Sequence, residues 1–539
     1  MSIDKSLTRQ SNLEVAKSTS IIASGTLCSR ILGFIRDIFI ARLFGLDVYA
    51  QAFVVAFKIP NLFRDFLGEG AANSAIIPVL SEYSLKHSKE EFWKLVNVVF
   101  TILLVILSAV TLLGIIFSPL IIRLIAPGFI LSPEKVTVAV KLSRIIFAYV
   151  ILISLAAYFT ALLNTLKHFS VPAFAPCLLN ISIIICSFLW GEGIKGLASG
   201  VLLGGLLQLA VQIPVLYKKG LRLRLIMQPR HPAVQSIFKL MLPRIASTSI
   251  YQLNNFLDTI FGSLVFIVGE GGVAVLYFAY RIILFPLGIF STALSQAILP
   301  TFSLQALEEK SDKLKNTLSF GLRSNFFIML PASAGIMVLA RPIIAGIFQG
   351  GRFGAAAVEA TTGVLFFYSL GLFAYGGTKI LNSCFFSLKD TVTPAKISLL
   401  SLILNIIFNF LLMFPMKLNG LALATSLTGI ITFVVSWLML KKKIGGLGLP
   451  LISGQFFKIL LASLAMSLVC YLAMQLRIIS GNSILDRAAN LLVPIICGAF
   501  SYLIFCFLLR IEQALKLLRW LKRTLRRLMG LTKGAPSGD

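Results

Sequence analysis

The stretch "CSRILGFIRDIFIARLFG", Cys28–Gly45, decides the reading of this chain. Its flanks, from Thr19 onward and on to Leu46, are almost wholly apolar, as a membrane helix requires. Yet it carries Arg30, Arg36, Asp37 and Arg42. A charged side chain at mid-bilayer costs about 2.5 kcal/mol or more even on the most lenient scales, so charges there are rare and serve a purpose. Seven residues are about two helical turns, so Arg30 and Asp37 share a face, with Arg36 about 120° away. Arg42 is close enough to the end of the stretch to reach an interface.

The rest of the chain sets the same problem. Of 539 residues 57% are hydrophobic and 13% charged, against about 25% charged in ordinary soluble domains, and the mean hydropathy is +0.91. Apolar runs long enough to cross a bilayer recur throughout, where a β-barrel would show short alternating segments. The fold expected is an all-α polytopic membrane protein of about fourteen transmembrane helices. The spans fall near 19–44, 48–68, 93–118, 142–166, 171–190, 194–217, 241–267, 272–302, 318–340, 357–386, 396–415, 419–440, 455–476 and 489–510. The polar start, followed by an overlong apolar run, does not fit a cleavable signal. The seven cysteines lie mostly within apolar runs, without paired or metal-type spacing, and the three histidines do not cluster, so no zinc site is expected.

The net charge of +28 follows from topology rather than from a nucleic-acid partner. With the N-terminus inside, the inner loops hold "YKKGLRLRLIMQPRHPAVQSIFK", "SLKDTVTPAK" and "KKK", and the outer ones "FGLD", "VGEGG" and "PMKLNG". The positive-inside rule then puts both termini in the cytoplasm. The tail, 511–539, opens as a basic amphipathic segment suited to an anionic inner leaflet.

Two internal echoes bear on domain organisation. Residues 195–220 resemble 419–445, each opening on Gly-Leu-Ala and ending in lysines. "LLNTLKHFSVPA" (162–173) resembles "ILNSCFFSLKDTVTPA" (380–395). They pair spans six and twelve and spans four and ten, as two six-helix lobes in parallel repeat require. The lobes are expected at 1–220 and 221–445, with spans thirteen and fourteen (446–510) added. Repeats of this kind mark transporters, with the substrate site where the repeats meet.

More intramembrane charges follow the first. Span two, "FKIPNLFRDFLGEGAANSAIIP", adds Lys58, Arg64, Asp65 and Glu69, and its Pro60, Gly68 and Gly70 suggest a broken helix; span eight adds Arg281. Mutual Arg–Asp pairing is one explanation. Three acids, however, cannot neutralise Arg30, Arg36, Arg42, Lys58, Arg64 and Arg281 together. A cationic cavity for an anionic cargo accounts for the surplus, and guanidinium forks suit phosphate oxygens. An enzyme would need an acid/base or metal-ligand cluster. None stands out, so the chain reads as a transporter and not an enzyme.

"SRILGFIRDIFIARLFG", "AFKIPNLFRDFLGEGAANSAIIPVLSEY" and "VPAFAPCLLNIS" resemble the signatures of the MurJ/MviN family of lipid II flippases. The resemblance covers nearly the whole chain. It implies a fold of the MOP exporter superfamily in the bacterial plasma (inner) membrane. The implied activity is flipping of lipid II, the undecaprenyl-pyrophosphate-linked peptidoglycan precursor, from inner to outer leaflet in cell-wall biogenesis. A related exporter of another polyprenyl-pyrophosphate glycan, or of a drug, is the alternative. The partners are lipid II and membrane lipids, and the chain is expected to act as a monomer. The resemblance puts the family's cavity arginines on Arg30, Arg36, Arg64 and Arg281, with Glu69 as the span-two acid, beside Asp37 and Lys58. It needs no organic cofactor. In sodium-binding members the ligands would fall on Asp258, Asn405, Asn409, the Leu421 carbonyl and Thr425. From the residues alone Asp258 stays open: protonated, paired with an arginine, or bound to a cation. The two asparagines can also simply bond between helices. The chain departs from the family where Gln51 and Tyr280 stand in place of acids.

Overall fold

Helix-forming chemistry is written into the element ends. The Asp47 carboxylate accepts the Tyr49 N–H at 3.0 Å and starts one helix. The Ser88 hydroxyl accepts the Glu91 N–H at 3.2 Å and starts another, with Glu90 and Glu91 in a first turn that favours negative charge. Gly220, at φ 112°, closes a third in the left-handed region.

A computed structural model describes residues 2–65, 75–191, 193–308, 311–445, 449–475 and 484–519. It is helical almost throughout and divides into two compact units. The first unit, Met1–Phe278 with Gly350–Ala357, holds α1 (Ser2–Phe44), α2 (Val48–Arg64), α3 (Ile77–Lys86), α4 (Lys89–Ile125), α5 (Pro133–Thr165), α6 (Ser170–Leu189), α7 (Ile194–Lys219), α8 (Pro232–Gly262), α9 (Val265–Val268) and the first half of α10 (Gly272–Pro286). The second unit, Ala279–Gln349 with Val358–Asp539, holds the rest of α10, a π-helical turn at Leu287–Thr292, α11 (Ala293–Leu307), α12 (Ser311–Val338), α13 (Ala340–Phe348), most of α14 (Ala355–Ser369), α15 (Leu372–Ser387), α16 (Val392–Ile444), α17 (Leu449–Gln475) and α18 (Ile484–Leu508).

Among the described residues nine helices are long and apolar enough to cross a bilayer, or ten if the bent pair α14–α15 is one span. α1, α2 and α8 are not in that set; they carry the charges that opened the sequence reading. α16 is two spans, because a helix of 53 residues is about 80 Å long, far more than one crossing needs. Its backbone breaks at Lys417 (φ 51°, ψ −129°). The architecture is compatible with the fourteen expected crossings. Element edges differ from the sequence reading, since several helices run past the membrane: α1 starts at Ser2 and α4 spans Lys89–Ile125. The connection between the second and third expected spans is helical over 81–86 and from 89 on, interrupted at His87 and Ser88.

The echoes have structural counterparts. Lys167 and Lys389 both adopt left-handed backbone, φ 55° and 58°. The same two hydrogen bonds close both turns: His168 N–H to Leu163 O and Asp390 N–H to Phe385 O, then Lys167 N–H to Asn164 O and Lys389 N–H to Phe386 O. Asp390 goes further. It accepts the Thr393 N–H (2.9 Å) and hydroxyl (2.7 Å), and the Lys443 ammonium (2.7 Å) from the far end of α16. The Lys443 contact, then the Thr393 bonds, hold its carboxyl well below the usual range.

Packing in the first unit turns on close backbone approach. Gly196, Gly200 and Gly204 recur every four residues on α7; a Cβ at Gly200 would lie 2.7 Å from the Ile183 Cα of α6, and one at Gly204 2.7 Å from the Leu179 Cα. Each unit has its own apolar core, Phe92, Phe147 and Phe159 in the first and Phe302, Phe326 and Phe385 in the second. Exposed apolar residues form stripes on the outer helices: Phe457, Leu461, Leu464 and Leu468 on α17, and Ile496, Phe500, Ile504 and Leu508 on α18. The tail begins as helix over 512–519, with Ile511 and Ala514 buried in the second core and Glu512 paired with the buried Arg323; its residues from 520 on lie outside the described residues.

Two substitutions test these contacts by thermal unfolding of the purified protein. Gly200→Leu should destabilise by about 1–3 kcal/mol through forced separation of α6 and α7. Asp390→Ala should cost about 0.5–2 kcal/mol as a lost helix start. The Asp390 contribution is present above the ordinary carboxylate pKa and is lost as pH falls through the depressed native value, so the gap between wild type and Asp390→Ala should narrow in acid. A gap that widens in acid contradicts the assignment.

Candidate functional site

The charges of the opening stretch lie inside the first unit. Arg36 and Asp37 are both buried, 5% and 1% exposed, and form an ion pair at 2.7 Å. Asp37 Oδ1 accepts from Arg36 Nε (3.1 Å), Arg36 Nη2 (2.7 Å) and the Tyr277 hydroxyl (3.0 Å). Arg36 Nη1 donates to Asn180 Oδ1 at 3.1 Å, and Asn180 Nδ2 donates back to the Ser29 carbonyl at 3.1 Å. Asn180 packs over Gly33, where a Cβ would meet it at an ordinary contact distance of 3.6 Å. Phe57 stacks near the guanidinium, 6.0 Å to its ring centroid. One arginine is thus fixed by α1, α6 and α10 of the same unit. Sequence reasoning expected Asp37 to share a face with Arg30. Adjacent side chains instead fold toward each other, because a buried guanidinium gains most from the nearest carboxylate. Arg30 stands exposed on α1.

A second set joins α2 to α8. Arg64 pairs with Asp65 at 3.2 Å, and Gln252 donates to the other Asp65 oxygen at 2.7 Å. Asn255 Nδ2 donates to Gln252 Oε1 at 3.2 Å. Lys58 donates to the Asn255 carbonyl, lies 5.7 Å from the Phe256 ring and feels the charge of Asp258 one turn on. Asp258 therefore has a lysine from span two as an electrostatic neighbour, a cation that inspection of its own span could not reveal. Phe57, beside the Arg36 guanidinium, stacks on the buried Tyr149 of α5 at 6.0 Å. Glu69 lies outside the described residues.

In the second unit Asn405, Asn409, Thr425 and Leu421 come together. Asn409 Nδ2 donates to Asn405 Oδ1 at 2.8 Å, Asn405 Nδ2 to Thr425 Oγ1 at 3.4 Å, and Thr425 Oγ1 to the Leu421 carbonyl at 3.1 Å. The Asn409 Oδ1 is buried without a hydrogen-bond donor. An orphaned acceptor among oxygen-rich neighbours fits a small hard cation. Arg281 lies half-buried on α10 in the same unit, beside Tyr280, whose ring meets Tyr368 edge-on at 5.5 Å. Gln51, in the first unit, is buried and donates to the Leu46 carbonyl at 2.9 Å; that contact needs an amide, and a carboxylate could not make it. Asn180 and Tyr277 were not singled out by sequence, although Asn180 stood in a quoted stretch as a polar group amid apolar neighbours.

A model of the family "Lipid II flippase MurJ" matches residues 40–493. The chain belongs to the MurJ lipid II flippase family. It is 37% identical over 414 residues, 76% of this chain and 80% of the relative, to a probable lipid II flippase MurJ of Buchnera aphidicola subsp. Acyrthosiphon pisum. To the lipid II flippase MurJ of Burkholderia cenocepacia it is 32% identical over 430 residues, 78% of this chain and 83% of that one. Its fold superposes on a lipid II flippase MurJ in an inward closed conformation with a TM-score of 0.76 at 28% identity, covering 91% and 98% of the two chains. An inward-facing MATE transporter of the MOP superfamily shares the fold, at a TM-score of 0.66 and 17% identity over 78% and 95%. MurJ proteins are transporters, not catalysts of covalent chemistry.

The paired arrangement predicts unequal losses. Asp37→Asn leaves a buried guanidinium uncompensated and should cost about 3–5 kcal/mol; Tyr277→Phe removes one hydrogen bond and should cost about 0.5–1.5 kcal/mol. Melting temperatures in one detergent compare them. Equal losses contradict Asp37 as the principal counter-charge.

Proposed function

We propose that this protein flips lipid II from the inner to the outer leaflet by alternating access, with Arg30, Arg36, Arg64 and Arg281 binding the pyrophosphate. Membership of the MurJ family supplies the cargo. The observation that carries the chemistry is the buried Arg36 guanidinium, held by Asp37 and Asn180 inside a membrane unit whose α2 adds Lys58 and Arg64. Guanidiniums grip phosphate oxygens two at a time and stay charged at any physiological pH. Asp37 and Asp65 hold Arg36 and Arg64 when no anion is present, so cargo phosphate replaces a carboxylate and no guanidinium is left bare. Lys58 stands on α2 with Arg64, and the family resemblance adds Glu69 to the proposed contacts. The polyprenyl tail stays in lipid against the apolar stripes of α17 and α18. The protein works as a monomer in the plasma membrane with both termini cytoplasmic, and its basic tail rests on anionic headgroups.

Sodium is the proposed coupling ion. Asn405, Asn409, Thr425 and the Leu421 carbonyl would hold it, with Asp258 as the charged ligand the family resemblance implies. Bound sodium supplies a positive charge that oxygen ligands gather around. An ion shifts a conformational equilibrium only if it binds one state better.

Two measurements check this reading. Export of labelled lipid II from vesicles should fall by an order of magnitude or more in Arg36→Ala, Arg64→Ala and Arg281→Ala proteins that insert normally, and Arg→Lys should restore only part; unchanged export refutes the arginine assignment. Sodium should raise the melting temperature relative to potassium in wild type but not in Asp258→Ala. Identical melting in both salts removes sodium from the account.

A further inference from the structure

Span ten carries a cation that none of the arginine arguments uses. Lys379 sits in the middle of α15, which α11, α12, α16 and the π-helical turn at Leu287–Thr292 surround. From Leu372 to Phe385 every residue is buried or half-buried except Lys379. The next exposed position, Phe386, lies seven residues on, about two turns along the same stripe. An ammonium set in hydrocarbon would cost about 2.5–3.5 kcal/mol, so a lysine exposed on an otherwise covered helix is best accommodated where the stripe meets a wet cavity.

The ammonium is held, not loose. Lys379 Nζ donates to Thr292 Oγ1 at 3.0 Å, and that hydroxyl donates to the Leu287 carbonyl, also at 3.0 Å. Leu287 and Thr292 are five residues apart, the π-helical spacing, so the widened turn is what sets the hydroxyl over that carbonyl. The neighbouring Ser291 donates to Asn325 Oδ1 at 2.8 Å and pins the turn. Gly376 admits this pair, since a Cβ there would lie 2.2 Å from Asn325 Oδ1. Such π turns recur at functional sites. Here its product is an exposed lysine oriented by a threonine from another span.

We infer that Lys379 is a further cargo-contacting residue whose ammonium, oriented by Thr292, binds an anionic oxygen of the transported lipid. Thr292 is a positioning residue. The inference rests on the proposed cargo being a phosphorylated lipid. Phosphate and carboxylate oxygens offer an ammonium the same chemistry, and the cargo carries both, on its pyrophosphate and on its peptide.

The test is equilibrium binding to purified full-length protein, using lipid II and undecaprenyl pyrophosphate, with Lys379→Gln, Lys379→Arg, Thr292→Val and Arg64→Ala. Melting temperature checks folding. Lys379→Gln should weaken lipid II binding about tenfold or more, as loss of a charged hydrogen bond does, with Lys379→Arg restoring most of it and Thr292→Val intermediate. An equal loss for undecaprenyl pyrophosphate places the contact on the pyrophosphate; a loss for lipid II alone places it on the peptide carboxylates. Wild-type affinity in Lys379→Gln, with Arg64→Ala impaired, overturns the inference and leaves the proposed function standing. Wild-type affinity in both overturns the two together. Should Lys379→Gln fail to fold, an unchanged affinity in Thr292→Val overturns the inference.

Discussion

A guanidinium buried in a membrane protein must find a partner, and the Arg36–Asp37 pair is where this chain meets that demand. Leaving either charge alone would cost several kcal/mol. The pair is therefore built with a full complement of bonds, from Asn180 of α6 and Tyr277 of α10. Those bonds fix how α1 sits against two other helices of its unit. The polar residues that make span one look unlike a membrane helix are the ones that hold it in place.

The same logic extends along α2. Lys58, Arg64 and Asp65 each find a partner on α8 or on their own helix, through Asn255, Asp258 and Gln252. Carboxylates and amides hold these cations in place. In the proposed cycle a phosphate that displaces a carboxylate exchanges one anionic partner for another, which makes binding reversible.

Much of this was legible in the sequence, and for definite reasons. Hydropathy gave the spans because a bilayer demands about twenty apolar residues wherever it is crossed. The echo around Lys167 and Lys389 carried through to matching backbone, since a left-handed turn closed by the same hydrogen bonds needs the same local text. Arg36, Arg64 and Asp258 stood out as charges in apolar surroundings. What stayed hidden was partnership across helices. Lys58 beside Asp258, 200 residues apart in sequence, and Asn180 beside Arg36 are set by packing that no spacing rule encodes. Lys379 was not singled out by sequence, because the packing that encloses its helix and sets the π turn against it leaves no local signal. Helix ends were misjudged where amphipathic text continues a helix beyond the membrane, as at the start of α1 and α4.

The central claim is that arginines within the membrane-spanning helices recognise the cargo by its pyrophosphate. Leaflet exchange in proteoliposomes tests it most directly, comparing labelled lipid II with an analogue whose pyrophosphate is replaced by an uncharged linker of similar length. The account predicts protein-dependent exchange of lipid II and at least an order of magnitude less for the neutral analogue. Equal exchange of the two lipids would contradict it.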